Sequence, residues 1–252
     1  MTVDWSPLTA EMTIWRREAR VLPIWWRDDD AVKDTPALAQ LTGLAETFGL
    51  PVHLAVIPKA AQPSLGDVCR SAWAVPMVHG WAHQNHGPDG QKKAEFGWPR
   101  AGVIDEIRQG IGTLDQMFGT DLLKVFVPPW NRIDAGLVAK LPDLGFAGLS
   151  TFTPRDGRFA APHLVQINTH IDPIFWKSGG GLVPPEAQIA ALVQNLQDRR
   201  FGRADNTEPL GLLTHHLVHN PEIWAFTEAC LGALLDAGAM PCKLHDLKGN
   251  LP

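Results

Sequence analysis

The chain has 252 residues, a length that α/β barrels reach as one unit, so we predict a single domain over residues 1–252. Apolar residues make up 45% of the chain and charged residues 19%, a balance that excludes an intrinsically disordered protein. The formal charge of −5 lacks the basic excess that nucleic-acid binding requires, so we expect no nucleic-acid partner.

The N-terminal segment carries charged residues throughout, including Asp4, Glu11 and Arg16. It therefore predicts a helical extension over residues 1–20 rather than a signal peptide. No stretch of the chain reaches the roughly 18 consecutive apolar residues of a membrane span, so we expect no transmembrane segment and a cytoplasmic location. The three cysteines have no CxxC spacing and do not predict a disulfide framework.

Short apolar runs alternate with amphipathic stretches along the chain. The apolar runs predict strands at 21–26, 52–57, 75–78, 124–127, 147–152, 164–167, 210–213 and 242–244. The amphipathic stretches predict helices at 35–48, 102–118, 134–144, 185–201 and 221–237. This alternation predicts an α/β fold with a parallel sheet. Seven or eight strands favour a single closed, distorted TIM-like (β/α) barrel, with an open doubly wound sheet as the alternative.

Polar residues follow these predicted strands at their carboxyl ends, where a parallel barrel places its catalytic residues. Seven of the ten histidines lie in such segments. The segments are 27–30, 79–86, 128–131, 169–172 and 214–219. The concentration of acids and imidazoles at one end of the strands predicts an active site there.

Three consecutive acids, Asp28, Asp29 and Asp30, follow the first predicted strand. Like charges this close raise at least one pKa unless a cation neutralises them, and a metal ion is the obvious cation. The alternative is that the acids cap the next helix, because acids are favoured at helix N-termini. Both interpretations stay open at this point.

His79 and His83 are four residues apart, a spacing that brings two imidazoles to one metal ion in a helical turn or a tight loop. Two histidines and one aspartate leave an open position on a divalent ion, which is typical of a catalytic site. Water bound there becomes acidic enough to attack a carbonyl. A second acid could serve as its base, and a distant histidine could protonate the leaving group.

The order of these motifs resembles that of the polysaccharide deacetylase family, the family 4 carbohydrate esterases. The family's first motif, Thr-Phe-Asp-Asp-Gly, is similar to Trp26–Asp30, and its second, His-Ser/Thr-x-x-His, is similar to His79–His83. The third, fourth and fifth motifs resemble Val127–Trp130, Asp172 with Trp176, and Leu213–His215. The resemblance implies a (β/α) barrel and a metal-dependent deacetylase.

Carried over residue by residue, the resemblance makes Asp28 the catalytic base and His215 the general acid. It makes Asp29, His79 and His83 the metal ligands. Residues expected to contact substrate or support the site are Arg27, Asp30, Trp81, Pro129, Trp130, Asn131, Asp172 and His216.

The chain departs from the family pattern at three points. Asp30 stands where the first motif has glycine, and Val127 stands where the third has arginine. We expect Arg27 or Arg132 to substitute for that arginine beside the base. His216 competes with His215 for the role of the acid. Lys92, Lys93 and Glu95 are expected to form a solvated loop after the second motif.

Together these features predict a metal-dependent hydrolase that removes an acetyl group from an N- or O-acetylated carbohydrate. The ligand types favour zinc, and they also suit cobalt, nickel or manganese. The expected partner is a small or lipid-linked acetylated saccharide. The alternatives are a hydrolase of the same fold acting on a non-sugar C–N bond, a carbohydrate-binding relative without turnover, and an aspartate-rich metal phosphatase.

Overall fold

The computed structural model describes residues 3–244, and one curved sheet with flanking helices organises them. The strands are β1 (Pro23–Ala31), β2 (Val52–Val56), β3 (Ala74–His79), β4 (Val125–Val127), β5 (Gly148–Leu149), β6 (Phe159–Ala161), β7 (Leu164–Gln166), β8 (Ile174–Phe175), β9 (Gly181–Leu182), β10 (Leu210–Thr214) and β11 (Met240–Pro241). The helices are α1 (Ser6–Arg17), α2 (Pro36–Phe48), α3 (Ser64–Val68), α4 (Val103–Phe118), α5 (Ala135–Val138), α6 (Pro185–Arg200) and α7 (Pro221–Asp236).

Seven strands pair in parallel in the order β10-β1-β2-β3-β4-β5-β7, with β6 antiparallel at one edge and β11 beside β1. The chain that follows β7 then returns to β10. There Ile171 bridges to Leu212, and the amide of His170 donates to the carbonyl of Gly211 at 2.7 Å. The sheet therefore curls round on itself, which confirms the predicted (β/α) barrel of parallel strands.

Side chains alternate between two apolar layers because successive residues of a strand face opposite sides. Inside the barrel lies a small cluster that includes Trp25, Met77, Val127 and Ile167. Outside it, a much larger cluster packs the sheet against the helices. In β1 this alternation puts odd-numbered residues inside and even-numbered residues outside, which decides the directions of the polar side chains at its end.

Local signals account for several helix boundaries. The hydroxyl of Thr35 accepts a hydrogen bond from the amide of Leu38 and so caps α2, which ends at Gly49 with φ of 61°.

Two elements predicted from the sequence differ from those in the structure. The helix expected over 134–144 is confined to α5 and a short 3-10 turn, Pro142–Leu144, because proline at 142 interrupts helical hydrogen bonding. None of the helices in residues 3–244 has the length and hydrophobicity needed to cross a bilayer.

The strand predicted at 242–244 is also wrong, because the strand lies just before it, at β11. The apolar character of this run has a different cause, since Leu244 packs into the inner cluster of the barrel. The first strand is longer than its apolar run indicates. It continues through Arg27 to Ala31, so that the three aspartates lie within β1 instead of after it.

Candidate active site

The end of β1 gives each of its charged side chains a different direction. Arg27 and Asp29 point into the barrel and Asp28 points outward, as strand alternation requires. The pairing with β2 is irregular after Asp28, and Asp30 has φ of 74°. Such bulges re-aim side chains, and aspartate tolerates the left-handed region better than most residues. Asp30 is thereby turned out of the alternation.

Asp30, His79 and His83 come together as a candidate metal centre. The Oδ1 atom of Asp30 lies 3.2 Å from Nε2 of each histidine, and the three ligand atoms lie within 4.8 Å of one another. Nδ1 of His79 is 2.9 Å from the carbonyl oxygen of Val127, to which it donates, so this contact orients the ring with Nε2 towards Asp30. Two imidazoles and a carboxylate are donors that fit zinc or cobalt.

Charge coupling sets the protonation states of this cluster. Burial raises the pKa of Asp30, but the hydrogen bond from His79 and the charges of both histidines outweigh it and hold that pKa below its usual value. Burial lowers the pKa of His79, yet Asp29 and Asp30 outweigh burial and raise it. Burial also lowers the pKa of His83. These shifts favour an ionised Asp30 and a neutral His83, the states that metal binding requires, whereas His79 has to release a proton to bind an ion.

Asp29 does not belong to this ligand group, because Arg27 engages its carboxylate. Nε of Arg27 lies 2.9 Å from Oδ1 of Asp29, and Nη2 donates to Oδ2 at 3.0 Å. The guanidinium is fully buried, and its other donors bind Ser150, Thr151 and Asn131. Arg132 instead donates to the carbonyl of Lys93. Arg27 or Arg132 was expected beside the base, Asp28, but in the structure Arg27 pairs with the neighbouring Asp29 instead.

Asp28 is enclosed on the outer side of β1. Its carboxylate lies 2.5 Å from Nδ1 of His216 and accepts from the backbone amide of His216 at 2.9 Å and from the hydroxyl of Thr214 at 2.6 Å. Burial raises the pKa of Asp28, but the charge and hydrogen bond of His216 outweigh it and lower that pKa. For His216, burial lowers the pKa, but the negative charge of Asp28 and the hydrogen bond to it outweigh burial and raise that pKa. The two form a buried ion pair.

His215 lies on the open side of β10, where 13% of its side chain is exposed. Its Nε2 is 4.0 Å from Oδ2 of Asp29. The ring of Trp176 packs edge-on against it at a centroid distance of 4.8 Å, and the indole N–H of Trp176 donates to Asp172 at 2.8 Å. Burial raises the pKa of Asp172. His215, Trp176 and Asp172 thus form one unit beside the Arg27–Asp29 pair.

Aromatic and proline side chains border the candidate metal centre. The ring of Trp130 lies 4.3 Å from that of His83, and both Trp130 and Asn131 have positive φ. Pro129 packs beside Gly80. Trp81 packs against the outer apolar cluster. The expected contact of Trp81 and Trp130 with substrate stays a prediction.

The acids that face the histidine cluster are shifted by one residue along the chain from those that the first motif led us to expect. The carry-over gave Asp28 and Asp29 the roles of base and ligand. In the structure, Asp28 is enclosed by His216, and the residues that face the histidine cluster are Asp29 and Asp30. Strand alternation and the bulge cause the shift, because they turn Asp28 away from the barrel and Asp30 into it.

Glu95 was missed by sequence reasoning. It was expected in a solvated loop, but it is 1% exposed and accepts hydrogen bonds from the backbone amides of Trp81, Ala82 and His83. The neighbouring Lys92 and Lys93 are exposed as expected. One signal pointed to Glu95: Gly80 stands where the resembled motif has serine or threonine, so another side chain had room to enter.

The sequence matches no protein-family model and no curated protein. The structure is similar to several solved ones. A family 4 carbohydrate esterase from Streptomyces lividans, in complex with acetate, is 14% identical with a TM-score of 0.56, over 90% of this chain and 95% of that chain. The chitin deacetylase of the fungal pathogen Colletotrichum lindemuthianum is 15% identical with a TM-score of 0.56, over 91% and 88% of the two chains.

A third structure of this kind is a family 4 acetyl xylan esterase from Clostridium thermocellum, in complex with a cobalt ion. It is 14% identical with a TM-score of 0.51, over 89% of each chain. At these identities the likeness concerns the backbone arrangement. The chain has the fold of the family 4 carbohydrate esterases and polysaccharide deacetylases.

Proposed function

We propose that this protein is a metal-dependent hydrolase that removes an acetyl group from an N- or O-acetylated carbohydrate. The observation that carries the proposal is the cluster of Asp30, His79 and His83 beside an arginine-held Asp29, at the strand ends of the barrel. Proteins that share the fold support it, since one is a chitin deacetylase, one is in complex with acetate and one with cobalt.

Asp30, His79 and His83 would hold a divalent ion, with zinc or cobalt favoured by the donor types and nickel or manganese also suited. When bound, such an ion polarises an acetyl carbonyl and makes water more acidic. We assign the ligand role to Asp30 in place of Asp29, because Oδ1 of Asp30 already faces both Nε2 atoms while Arg27 occupies the oxygens of Asp29.

We assign the role of general base to Asp29 in place of Asp28. Arg27 pairs with the ionised carboxylate of Asp29 and fixes its orientation, and Asp29 takes a proton from the attacking water at Oδ2. Asp28 has no such access, because His216 and Thr214 surround its carboxylate.

His215 supplies the proton that the leaving amine or alcohol needs. Its Nε2 faces the same space as Oδ2 of Asp29, so base and acid flank one position. The edge-on contact with Trp176, itself bound to Asp172, holds the imidazole ring in that direction. His216 is excluded from this role by its burial and by its pairing with Asp28.

The matched variants Asp30→Asn and Asp29→Asn test the proposal, because each removes one charge at neighbouring positions. Metal content per chain is measured by plasma emission, and acetate release is measured on N-acetylated and O-acetylated saccharides, short and lipid-linked. We expect Asp30→Asn to lose the ion and the activity. Asp29→Asn should keep the ion and lose about two to four orders of magnitude in rate, the range of general acid–base catalysis.

Each opposite result has a definite meaning. Loss of the ion in Asp29→Asn, together with its retention in Asp30→Asn, would show that Asp29 is the metal ligand, as the carry-over from the first motif implied. Saccharide binding by the wild type without acetate release would identify a binding protein. Turnover restricted to small non-sugar amides would identify the same chemistry on a different substrate class.

A further inference from the structure

The two histidines of the metal cluster lie on opposite sides of a sharp chain reversal. His79 ends β3, and His83 follows a turn of three residues, yet both Nε2 atoms lie 3.2 Å from the same oxygen of Asp30. The reversal depends on two left-handed residues, Gly80 with φ of 59° and His83 with φ of 53°. A residue other than glycine is uncommon in that region, so contacts with the surrounding structure are needed to stabilise the turn.

The carboxylate of Glu95 lies at the centre of this turn. Its Oε1 accepts from the amide of Ala82 at 2.7 Å, and its Oε2 accepts from the amides of Trp81 and His83, each at 3.2 Å. Successive amides that converge on one anion form a concave nest, and hydrogen bonds to an ionised acceptor are stronger than neutral ones. At 1% exposure, these bonds are shielded from water.

Gly80 and Glu95 depend on each other sterically. A Cβ atom at position 80 would lie 2.4 Å from Oε2 of Glu95 and 2.6 Å from Cδ of Pro129. On the other side, the carbonyl of Gly80 packs against Gly110 of α4, where a Cβ would come within 2.9 Å. The turn is therefore enclosed on both sides, and a carboxylate fills the space that a side chain at position 80 would need.

We infer that Glu95 is a positioning residue for the metal ligand His83: it fixes the backbone of residues 81–83 and so aims the imidazole at Asp30. The inference rests on the proposed function for the identity of the ligand group. It extends that proposal to a residue outside the ligand set, which touches neither the ion nor the substrate.

A second metal site is the rival explanation, because side-chain ligand atoms of His86, Glu95 and Glu106 lie within 4.8 Å of one another. The hydrogen bonds favour the positioning role. Both oxygens of Glu95 already accept backbone amides, and the guanidinium of Arg100 binds both oxygens of Glu106. An ion at this position would compete with those donors for the same carboxylate oxygens.

The test is a cobalt titration of the full-length metal-free protein, followed by the visible absorption of the bound ion and by its stoichiometry. We expect Glu95→Gln to weaken cobalt binding about 10- to 100-fold, the usual effect of losing a residue that orients a ligand, and to alter the visible bands. Glu106→Gln is the matched control and should leave affinity and spectrum unchanged, because Glu106 does not contact the turn.

A double-mutant cycle separates positioning from general destabilisation. If Glu95 acts through His83, then Glu95→Gln should add little to the loss already caused by His83→Ala. If Glu95→Gln does not fold, Glu95→Asp keeps the charge with a shorter reach, and we expect it to bind cobalt more weakly than the wild type while retaining one equivalent.

Wild-type affinity and spectrum in Glu95→Gln, or full additivity with His83→Ala, would overturn the inference. Two cobalt equivalents in the wild type and one in Glu95→Gln would replace it with the second metal site. Failure of the proposed function is distinguishable, because the wild type would then bind no cobalt at all.

Discussion

At the scale of single residues, three identical side chains in a row have three different environments. Asp28 is locked in an ion pair with His216, Asp29 is held by Arg27, and Asp30 faces the histidine cluster. The chemistry of the carboxylate is the same in each case. What differs is the direction that the pleat and the bulge of β1 give it.

Arg27 is the residue whose loss should separate activity from metal binding. Arg27→Met leaves the buried Asp29 without its partner, which should cost about 3–5 kcal/mol of unfolding free energy and most of the rate of the proposed deacetylation. Metal content should stay at the wild-type value, because Arg27 does not touch the ligand cluster. Urea unfolding and acetate release measure both effects.

Arg132→Met is the matched control, since the guanidinium of Arg132 donates to the carbonyl of Lys93 in the neighbouring loop. Equal effects of the two substitutions would contradict the pairing that the structure places at Asp29.

His215 and His216 are adjacent, and their roles should be separable by substitution. His215→Ala should keep the ion and reduce turnover about 10²- to 10⁴-fold, as expected for loss of a general acid. His216→Ala should instead reduce stability, because it leaves the buried Asp28 carboxylate unpaired. Turnover numbers and unfolding midpoints of the two variants give the comparison. A large loss of turnover in His216→Ala and a loss of stability in His215→Ala would assign the general acid to His216 instead.

At the scale of elements, β10 decides how closely the barrel closes. Gly211 of β10 lies against the chain that follows β7, and a Cβ there would come within 2.6 Å of the carbonyl oxygen of Asn168 and 2.6 Å of Nε1 of Trp25. A glycine at this position lets two backbones approach and lets the site residues of β1 and β10 share one rim.

Gly211→Ala should therefore destabilise the fold by about 1–3 kcal/mol, the usual cost of overpacking. Gly232→Ala in α7 is the matched control, because the new Cβ would have ordinary contact with Phe48 at 3.8 Å. There alanine should stabilise the helix by about 0.5–1 kcal/mol. Urea unfolding of both variants tests the contrast. An unchanged unfolding free energy in Gly211→Ala would show that the backbones at this position have room for a Cβ atom.

At the scale of the whole molecule, a buried polar network joins α6 to the segment after β7 that contacts β10. Nδ1 of His170 accepts from the amide of Gly211 at 3.0 Å, and Nε2 lies 3.1 Å from Oε2 of Glu208. Arg199, which binds the carbonyl of Glu208, completes the network. Burial lowers the pKa of His170, and the charge of Arg199 lowers it further, outweighing Glu208.

This network predicts a loss of stability in mild acid. Because the folded pKa of His170 lies below the unfolded value of 6.5, the unfolded chain takes up a proton first as the pH falls. The stabilising contribution is therefore complete above about pH 6.5 and is lost below it. Between pH 7.5 and 5.5 the wild type should lose about 1 kcal/mol more than His170→Asn, which does not titrate.

Urea unfolding at several pH values measures the difference, and groups common to both proteins cancel in it. Parallel pH profiles for the wild type and His170→Asn would contradict the prediction.

The class of fold and the residue types of the candidate site could be predicted from the sequence alone. Apolar runs of strand length, separated by amphipathic helices, are local signals, so the parallel barrel and most helix boundaries followed from them. The clustering of acids and histidines after successive strands likewise indicated one edge of the sheet, because parallel strands bring their carboxyl ends together.

Which acid faces which partner depends on the packing of the strands and could not be predicted from the sequence. The direction of Asp28, Asp29 and Asp30 depends on how far β1 extends and where it bulges, and both follow from pairing with β2 and β10 rather than from local propensity. Glu95 binds the turn after β3 from a position twelve residues beyond His83, a contact that no periodicity encodes. The residue types of the site can be read from the sequence, but the directions of their side chains depend on the packing of strands that are distant in the sequence.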